Sequence, residues 1–351
     1  MSRNTISRVH AKGDAFSIGF AVGRACAAAG SLERTFGSEL YRALDARWRG
    51  SEYLKTLESA ARGVYPRYVR EIEGIAAGLH QDFETVFLWN CMGDLRLPEG
   101  VSPATKIIAE TGCTSLLIPA KGDGPAILAH NEDGEAEFLG ACLWVEAEPD
   151  EGPAWSSFTY PGMLSGDFGL NQAGIVQAMN NITPNDLQPG VPRHIIIRAT
   201  MDAKGLDEAI EILKRKDRAS GYHHNLGEAK TRRLVSVEAP ASGCAVREVW
   251  LPRAHANHML YGEFDGLKQT INPSSRNRQE AADRMIAEGA LANGAEAVLF
   301  DETAPIYKNR QDEDSQTLAM GVFELFPDRV EWRVHAAPEE RNALSGTMRV
   351  V

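Results

Sequence analysis

At residue 113 the spacing of apolar residues changes from a helical period to the short runs typical of β-strands. Before it, residues 14–92 carry apolar residues three and four apart, most clearly over residues 67–79, which predicts a series of amphipathic helices. After it come β-rich runs, then helical patterns, then strands again. This order favours an α+β fold of two sheets with outer helices over an alternating parallel fold.

The predicted elements have approximate bounds that the structure can test. The helices lie within residues 14–92 and at residues 194–201, 206–213 and 276–291. The strands are predicted at residues 114–119, 126–130, 142–148, 155–160, 168–170, 175–180, 234–238, 246–251, 316–326 and 330–334. A turn-forming segment at residues 121–125 joins the first two strands as a hairpin.

Composition narrows the class of protein and its partners. The chain has 351 residues, of which 43% are hydrophobic and 24% charged, as expected for a soluble globular protein. Its net charge of −11 repels phosphate backbones and anionic lipid, so we expect neither nucleic acid nor membrane as a partner. No apolar run reaches the roughly 18 residues that span a bilayer, and no signal peptide pattern opens the chain, so the expected location is cytoplasmic.

The cysteines are too few and too scattered for a disulfide framework. They number five, an odd count, and no Cys-x-x-Cys pair occurs. Two histidines three residues apart, His255 and His258, are weak evidence for a metal site, because no carboxylate or thiol lies near them in sequence. We therefore expect a reducing compartment and neither a metal nor another cofactor.

Cys113 stands at the first position of a predicted core strand, directly after Gly112. If the Gly112–Cys113 bond were cut, Cys113 would gain a free α-amine. The pKa of an α-amine lies near ~7.7–8.0, so the amine could accept the proton of its own thiol at neutral pH. The structural alternative is a free cysteine that serves only as a small buried hydrophobe.

Three further segments carry polar residues in places that suit a site. Four polar residues follow one another at residues 130–133, and such a cluster is costly to bury without partners. Residues 169–181 predict two strands around an Asn/Gly turn. Asn257, between the two histidines, offers a neutral amide donor.

Taken together, these segments resemble the isopenicillin-N (penicillin) acyltransferase family. The similar motifs occur in the family's order over roughly residues 65–340, and they are Gly112-Cys113-Thr114-Ser115, His130-Asn131-Glu132-Asp133, residues 169–174, residues 190–194, Asn257-His258 and Asn277-Arg278. Six matches in order are hard to produce by accident.

The resemblance implies an N-terminal nucleophile (Ntn) hydrolase, a four-layer α-β-β-α sandwich whose precursor cuts itself before the nucleophile. Cys113 then matches the nucleophile, Ser115 the hydroxyl that assists self-cleavage, Asp133 the active-site aspartate and Asn257 the oxyanion-hole amide. Substrate binding is assigned to His130, Asn131 and Asn180.

Self-cleavage would divide the chain into a helical N-terminal segment, residues 1–112, and a core, residues 113–351, which stay associated as one structural domain. The expected substrate is a small N-acyl molecule, and hydrolysis is favoured over acyl-CoA-dependent transfer. A homo-oligomer is considered as well. The family has an arginine near the last strands. In this sequence Asp314 stands at that position, and Arg310 lies nearby but out of register. The alternatives are a non-catalytic binding protein on this fold and a papain-like hydrolase with His130, His223 or His224 as base.

Overall fold

A computed structural model gives the architecture of most of the chain. It describes residues 5–30, 32–96, 112–304, 306–309, 315–338 and 344–351. The α-helices are α1 (Ala15–Ala28), α2 (Leu32–Phe36), α3 (Glu39–Trp48), α4 (Glu52–Val64), α5 (Pro66–Leu79), α6 (Phe83–Asn90), α7 (Arg193–Thr200), α8 (Leu206–Leu213), α9 (Pro273–Ala287) and α10 (Glu296–Leu299). The strands are β1 (Ser7–Gly13), β2 (Thr114–Ile118), β3 (Ala126–Glu135), β4 (Leu143–Pro149), β5 (Trp155–Thr159), β6 (Phe168–Asn171), β7 (Ile175–Asn181), β8 (Tyr222–Glu228), β9 (Arg233–Ala239), β10 (Ala245–Glu248), β11 (Arg253–His255), β12 (Ser315–Phe326), β13 (Arg329–His335) and β14 (Leu344–Arg349).

The strands form two sheets that pack face to face. One sheet has the order β1-β4-β5-β6-β7-β8-β9-β10, and the other has the order β11-β2-β3-β12-β13-β14. Neighbouring strands are antiparallel except for the parallel pair β1–β4. Aromatic side chains of the two sheets meet between them: the ring centroids of Trp144 and Trp332 lie 4.7 Å apart, and those of Phe168 and Phe323 lie 6.3 Å apart.

Helices cover both outer faces. On the six-stranded sheet, Leu116 and Ala129 pack in one buried cluster with Ala282 of α9 and Val298 of α10. On the eight-stranded sheet, the α7 guanidinium of Arg198 lies over the β5 ring of Trp155, and α5 packs against α7. The predicted four-layer α-β-β-α sandwich is therefore confirmed. None of the helices in the described ranges has the length and apolarity that crossing a bilayer would need.

The two longest N-terminal helices, α1 and α5, approach each other through glycines. A Cβ on Gly19 would lie 2.0 Å from the carbonyl oxygen of Glu71, and one on Gly74 would lie 2.1 Å from that of Phe16. No side chain fits at such separations, so each glycine is required by the close contact of the two backbones. This pair anchors the N-terminal segment on the eight-stranded sheet.

The structure contains four strands that the sequence did not predict, β1, β8, β11 and β14, and one strand, β3, that is longer than predicted. The segment before Cys113 is not wholly helical, since Ser7–Gly13 forms β1 in parallel register with Leu143–Pro149. Most of its side chains are exposed, because β1 is an edge strand and shows little apolar alternation. The strand predicted at residues 126–130 continues to Glu135, because β3 is an inner strand of the six-stranded sheet, between β2 and β12, and is buried on both faces.

Candidate active site

Cys113 lies directly before β2 and is 3% exposed. Its carbonyl oxygen accepts a hydrogen bond of 2.6 Å from Nη1 of Arg278, which also donates to Oγ1 of Thr114 at 2.9 Å. Burial, followed by the nearby charge of Glu132, raises the pKa of the Cys113 thiol well above its usual range. The thiol is therefore protonated at neutral pH and needs a base before it can act as a nucleophile.

The side-chain amide of Asn257 rests against Gly112. A Cβ on Gly112 would lie 2.5 Å from Asn257 Nδ2, so the close contact requires a glycine here. Asn257 Oδ1 accepts a hydrogen bond of 2.7 Å from Arg278 Nη2, and Nδ2 donates to the carbonyl oxygen of Asn181 at 3.0 Å. Arg278 thus holds both the amide of Asn257 and the backbone of Cys113 in place.

Glu132 is the carboxylate that contacts the thiol. Cys113 Sγ donates to Glu132 Oε2 at 3.3 Å, and the same oxygen lies 2.9 Å from His130 Nε2. The hydroxyl of Tyr160 donates to Oε1 at 2.7 Å. Burial raises the pKa of Glu132 to about 8, so at neutral pH the carboxyl is mostly protonated.

A directed chain of hydrogen bonds runs from Glu132 into the protein. Burial lowers the pKa of His130 to about 3, so its ring is neutral and Nε2 accepts from the protonated Glu132 carboxyl. Nδ1 of His130 then donates to Ser115 Oγ at 2.7 Å, and Ser115 donates to Asn180 Oδ1 at 2.8 Å. We assign these proton positions from the hydrogen-bond network. The chain fixes the orientation of the Glu132 carboxyl beside the thiol.

Cys113, His130 and Glu132 place one ligand atom each within 4.8 Å of one another, an arrangement of donor types that zinc accepts. In this structure Glu132 Oε2 is shared by the thiol and the imidazole through hydrogen bonds. These bonds account for all three atoms, so we interpret the group as a proton-handling cluster.

Asp133 is buried and paired with groups from the segment before and within β12. Its Oδ1 accepts a hydrogen bond of 2.7 Å from Thr317 Oγ1, and its Oδ2 lies 3.4 Å from Lys308 Nζ. Lys308 therefore supplies the positive charge beside the Asp133 carboxylate. Asp314, which stands where the family has an arginine, and the nearby Arg310 lie outside the described residues.

A cavity of about 100 Å³ opens beside Cys113. Its lining is Leu40, Trp89, Met92, Gly112, Cys113, Glu132, Asp133, Gly134, Glu135, Phe138, Tyr160, Met163, Asp167, Met179, Asn181, Arg193, His194 and Tyr222. A second cavity shares four of these residues, Leu40, Met92, Asn181 and Arg193. The smaller cavity contains the thiol, so a group that reacts with Cys113 would occupy it, and we call it the acyl cavity. Its volume suits a short acyl group.

The sequence-based assignment of substrate binding does not fit this cavity. His130, Asn131 and Asn180 are fully buried and are not among its lining residues. His130 and Asn180 belong to the hydrogen-bond chain behind Glu132, and the Asn131 amide donates to the carbonyl oxygen of Leu299 at 2.7 Å. All three lie within strands, and their side chains donate to or accept from other groups inside the protein.

Sequence reasoning brought Cys113, Asp133 and Asn257 to one place but missed three contacts. Glu132 belongs to the polar run 130–133, and its position between His130 and Asp133 was the sequence signal that could have indicated a role in the site. Arg278 was present only in a weak motif. The contact of Lys308 with Asp133 depends on the path of the chain before β12, which no spacing rule predicts.

In the described part of the chain, none of the histidines of the papain-like alternative forms a hydrogen bond with the thiol. His130 reaches Glu132 and Ser115. The His223 ring stacks on His255 with centroids 3.2 Å apart, and its Nε2 lies 2.7 Å from Ser236 Oγ. Within the described residues, the hydrogen-bond partner of Cys113 Sγ is Glu132.

Comparison with known proteins identifies relatives of the chain. The family model of acyl-coenzyme A:6-aminopenicillanic acid acyl-transferase matches residues 120–338. A β-alanyl-dopamine/carcinine hydrolase of Drosophila melanogaster is 28% identical over 92% of this chain and 91% of its own length. The acyl-coenzyme A:6-aminopenicillanic-acid-acyltransferase 40 kDa form of Emericella nidulans is 23% identical over 77% of this chain and 71% of its own. A mutant conjugated bile acid hydrolase of Clostridium perfringens aligns with TM-score 0.45 and 11% identity over 67% of this chain and 92% of that one.

Proposed function

Because this chain belongs to the acyl-coenzyme A:6-aminopenicillanic acid acyl-transferase family, we propose that it is an Ntn-type enzyme that cuts itself before Cys113 and then hydrolyses a small N-acyl amide. The observation that carries the proposal is the arrangement around the Gly112–Cys113 bond. The thiol donates to a carboxyl, the Asn257 amide rests on the glycine, and Arg278 holds both.

In the self-cleavage step, Glu132 accepts the thiol proton of Cys113 and Sγ attacks the carbonyl carbon of Gly112. Negative charge develops on the Gly112 oxygen, near the Asn257 amide. The C–N bond then breaks, the amide nitrogen of Cys113 takes up a proton and becomes the α-amine, and Gly112 is held as a thioester on Sγ. Water hydrolyses this thioester and releases the Gly112 carboxylate.

In the catalytic cycle, the new α-amine acts as the base and the thiol attacks the carbonyl carbon of the substrate amide. The amine of the substrate leaves with a proton, and the acyl group stays on Sγ until water removes it. Asn257 stabilises the oxyanion in both steps, and Asp133, held by Lys308 and Thr317, orients the protonated α-amine.

Hydrolysis is favoured over acyl transfer by the charge of the protein. The chain has a net charge of −11, which repels the phosphates of coenzyme A. The lining of the acyl cavity has four carboxyl groups and one arginine, so it supplies little positive charge for those phosphates. The Drosophila relative, named for hydrolysis of β-alanyl-dopamine and carcinine, also has an amide substrate with a small acyl group. Acyl-CoA-dependent N-acyl transfer is the second candidate, and the name of the matching family favours it.

The test combines intact-mass measurement with trapping of the acyl group. Purified protein is expected to give chains of 112 and 239 residues, and Cys113→Ala is expected to stay whole. The processed protein is then incubated with N-acyl amines, N-acyl amino acids and β-lactams, and the mass of the Cys113 peptide is followed.

Each result has a distinct meaning. An adduct on Cys113 that decays in water supports the hydrolase, whereas one that is released only by added amines identifies a transferase. A chain that stays whole after long incubation and takes up no acyl group contradicts the proposal and favours a non-catalytic binding protein on the same fold.

A further inference from the structure

Three side chains beside the Gly112–Cys113 bond offer donor atoms of three different kinds. Cys113 Sγ, His130 Nε2 and Glu132 Oε2 all lie within 4.8 Å of one another. Across the part of the chain that the structure describes, this is the one group of three cysteine, histidine or carboxylate side chains that is close enough to hold a single ion. A thiolate, an imidazole and a carboxylate together favour zinc over magnesium or calcium, which bind oxygen atoms.

The separations of these atoms are close to those in a tetrahedral zinc site. With Zn–S of about 2.3 Å and Zn–O and Zn–N of about 2.0 Å, tetrahedral angles place sulfur about 3.5 Å from oxygen, and oxygen about 3.3 Å from nitrogen. Here Cys113 Sγ lies 3.3 Å from Glu132 Oε2, which lies 2.9 Å from His130 Nε2. The third pair, Sγ and Nε2, lies within 4.8 Å and would come closer as an ion binds. A zinc ion could therefore replace the two hydrogen bonds after small side-chain movements.

The groups behind the donor atoms hold them in the orientation that a metal needs. Nδ1 of His130 donates to Ser115 Oγ at 2.7 Å, which leaves the lone pair of Nε2 directed at Glu132. The Tyr160 hydroxyl donates to Oε1 of Glu132 at 2.7 Å and leaves Oε2 for the ion. A ligating imidazole usually donates its other nitrogen to a partner of this kind, and such partners strengthen metal binding.

The charges of the three ligands match those of a divalent ion. The thiolate of Cys113 and the carboxylate of Glu132 supply two negative charges, and the imidazole of His130 is neutral. Their complex with Zn²⁺ has no net charge, which reduces the cost of burying an ion here. The three side chains are at most 4% exposed, and Cys113 and Glu132 also line the acyl cavity, through which an ion reaches them.

We propose that Cys113, His130 and Glu132 form an inhibitory zinc site. One Zn²⁺ ion binds Sγ, Nε2 and Oε2, and water takes its fourth position on the side of the acyl cavity. The bound sulfur is then unavailable for attack, and the bound Glu132 is unavailable as a base. The ion is thus an inhibitor and not a cofactor. Zinc binding does not depend on the proposed function, whereas its effect on self-cleavage and turnover rests on that function.

Binding is tested first with Co²⁺, which takes tetrahedral sites of this kind and gives a thiolate-to-metal charge-transfer band. Wild-type protein freed of metal by a chelator should show this band with one equivalent of Co²⁺, and Zn²⁺ should abolish it. Cys113→Ala should lack the band. The control is Cys244→Ala, because Cys244 is the most exposed of the cysteines and lies outside the cluster, so its loss should leave the band unchanged.

Two further variants test the histidine ligand, with zinc affinity measured by competition with a chromophoric chelator. His130→Gln removes the nitrogen ligand and should weaken zinc binding about a hundredfold or more. Ser115→Ala removes only the group that orients this ring, so it should keep the cobalt band and lose about tenfold to a hundredfold in zinc affinity. His258→Gln is the matched control, since His258 contacts Ser275 at 2.8 Å and lies outside the cluster. If His130→Gln does not fold, Ser115→Ala and Cys113→Ala still decide.

Activity gives a second readout. One equivalent of Zn²⁺ should abolish self-cleavage of the fresh precursor and acylation of Cys113 in the processed protein. A chelator should restore both, and Mg²⁺ at the same concentration should affect neither.

A cobalt band that persists in Cys113→Ala, or equal zinc affinity in wild type and His130→Gln, would overturn the zinc site. Turnover that saturating zinc leaves unchanged, or that a chelator lowers, would overturn its inhibitory role. A protein that binds zinc as expected, but in metal-free form neither cuts itself nor takes up an acyl group on Cys113, would retain the zinc site and overturn the proposed function.

Discussion

At the scale of single residues, the proposed self-cleavage depends on one carboxyl group. Glu132 Oε2 accepts a hydrogen bond from the Cys113 thiol and also contacts His130 Nε2. The hydroxyl of Tyr160 donates to Oε1 of the same carboxyl group. A carboxyl is an effective base towards a thiol only when it is ionised. Because burial raises the pKa of Glu132 to about 8, its ionised fraction grows as the pH rises from 7 to 9.

We therefore predict that the rate of self-cleavage rises with pH, is half-maximal near pH 8 and levels off above about pH 9. Glu132→Gln keeps the shape of the side chain but removes the base, so cleavage should slow by about a hundredfold or more and lose this inflection. The measurement is the fraction of cut chain over time between pH 6 and 9.5. An unchanged pH profile in Glu132→Gln would show that another group accepts the proton.

Asn257 gives the second prediction at this scale. Asn257→Ala removes an amide that rests on Gly112 and accepts from Arg278, so kcat should fall about a hundredfold or more while KM changes less. Turnover is measured per processed chain, because the same substitution is expected to slow self-cleavage. His258→Gln is the comparison, since His258 bonds Ser275 and does not line the acyl cavity. Wild-type kcat in Asn257→Ala would refute the oxyanion assignment.

At the scale of elements, the contact of α1 with α5 depends on the absence of side chains. Gly74→Ala would place a methyl group against the Phe16 carbonyl oxygen and force the two helices apart. We expect a loss of about 1–3 kcal/mol in unfolding free energy, as for other overpacked sites. Gly63→Ala is the matched control: Gly63 lies in α4 with open space around its Cα, so alanine should raise stability by up to about 1 kcal/mol. Urea unfolding midpoints separate the two, and similar midpoints for both variants would contradict the close contact.

Elements with strong local patterns were predictable, and those defined by their neighbours were not. The helix at residues 206–213 agrees with the prediction at both ends because its apolar spacing is regular. The strand β1 is an exposed edge strand with a mixed pattern, so only its pairing with β4 reveals it. The polar end of β3 is a strand because of burial between layers, which periodicity does not encode.

The candidate site shows the same division. Cys113, Asp133 and Asn257 were found through sequence motifs, whereas Glu132 and Lys308 required knowledge of which strands are neighbours. Residues 114 and 131 are paired in the ladder of β2 and β3, which brings residue 132 beside Cys113. The same pairing turns His130 towards Ser115 and away from the cavity. A register of this kind is set by the whole sheet.

At the scale of the whole molecule, the proposed cut leaves many contacts across it intact. The strand β1 pairs with β4 through seven residue pairs, and both α1 and α5 pack on the core. Arg198 of α7 donates to both carboxylate oxygens of Glu71 in α5, at 3.2 and 3.0 Å, and the pair is fully buried. Segments 1–112 and 113–351 thus share one sheet and one hydrophobic core.

We predict that the two chains elute together in size-exclusion chromatography after cleavage and separate only in denaturant. Arg198→Ala leaves Glu71 buried without its cation, which should lower the free energy of unfolding by about 3–5 kcal/mol and let the chains separate at lower urea. The control is Lys214→Ala, because Lys214 pairs with Glu211 at the surface and should shift the midpoint little. The double variant Cys113→Ala/Arg198→Ala, which should stay uncleaved, distinguishes loss of stability from separation of the chains. Its single covalent chain can unfold but cannot dissociate. Free 112-residue chain in native buffer would show that these contacts do not hold the molecule together.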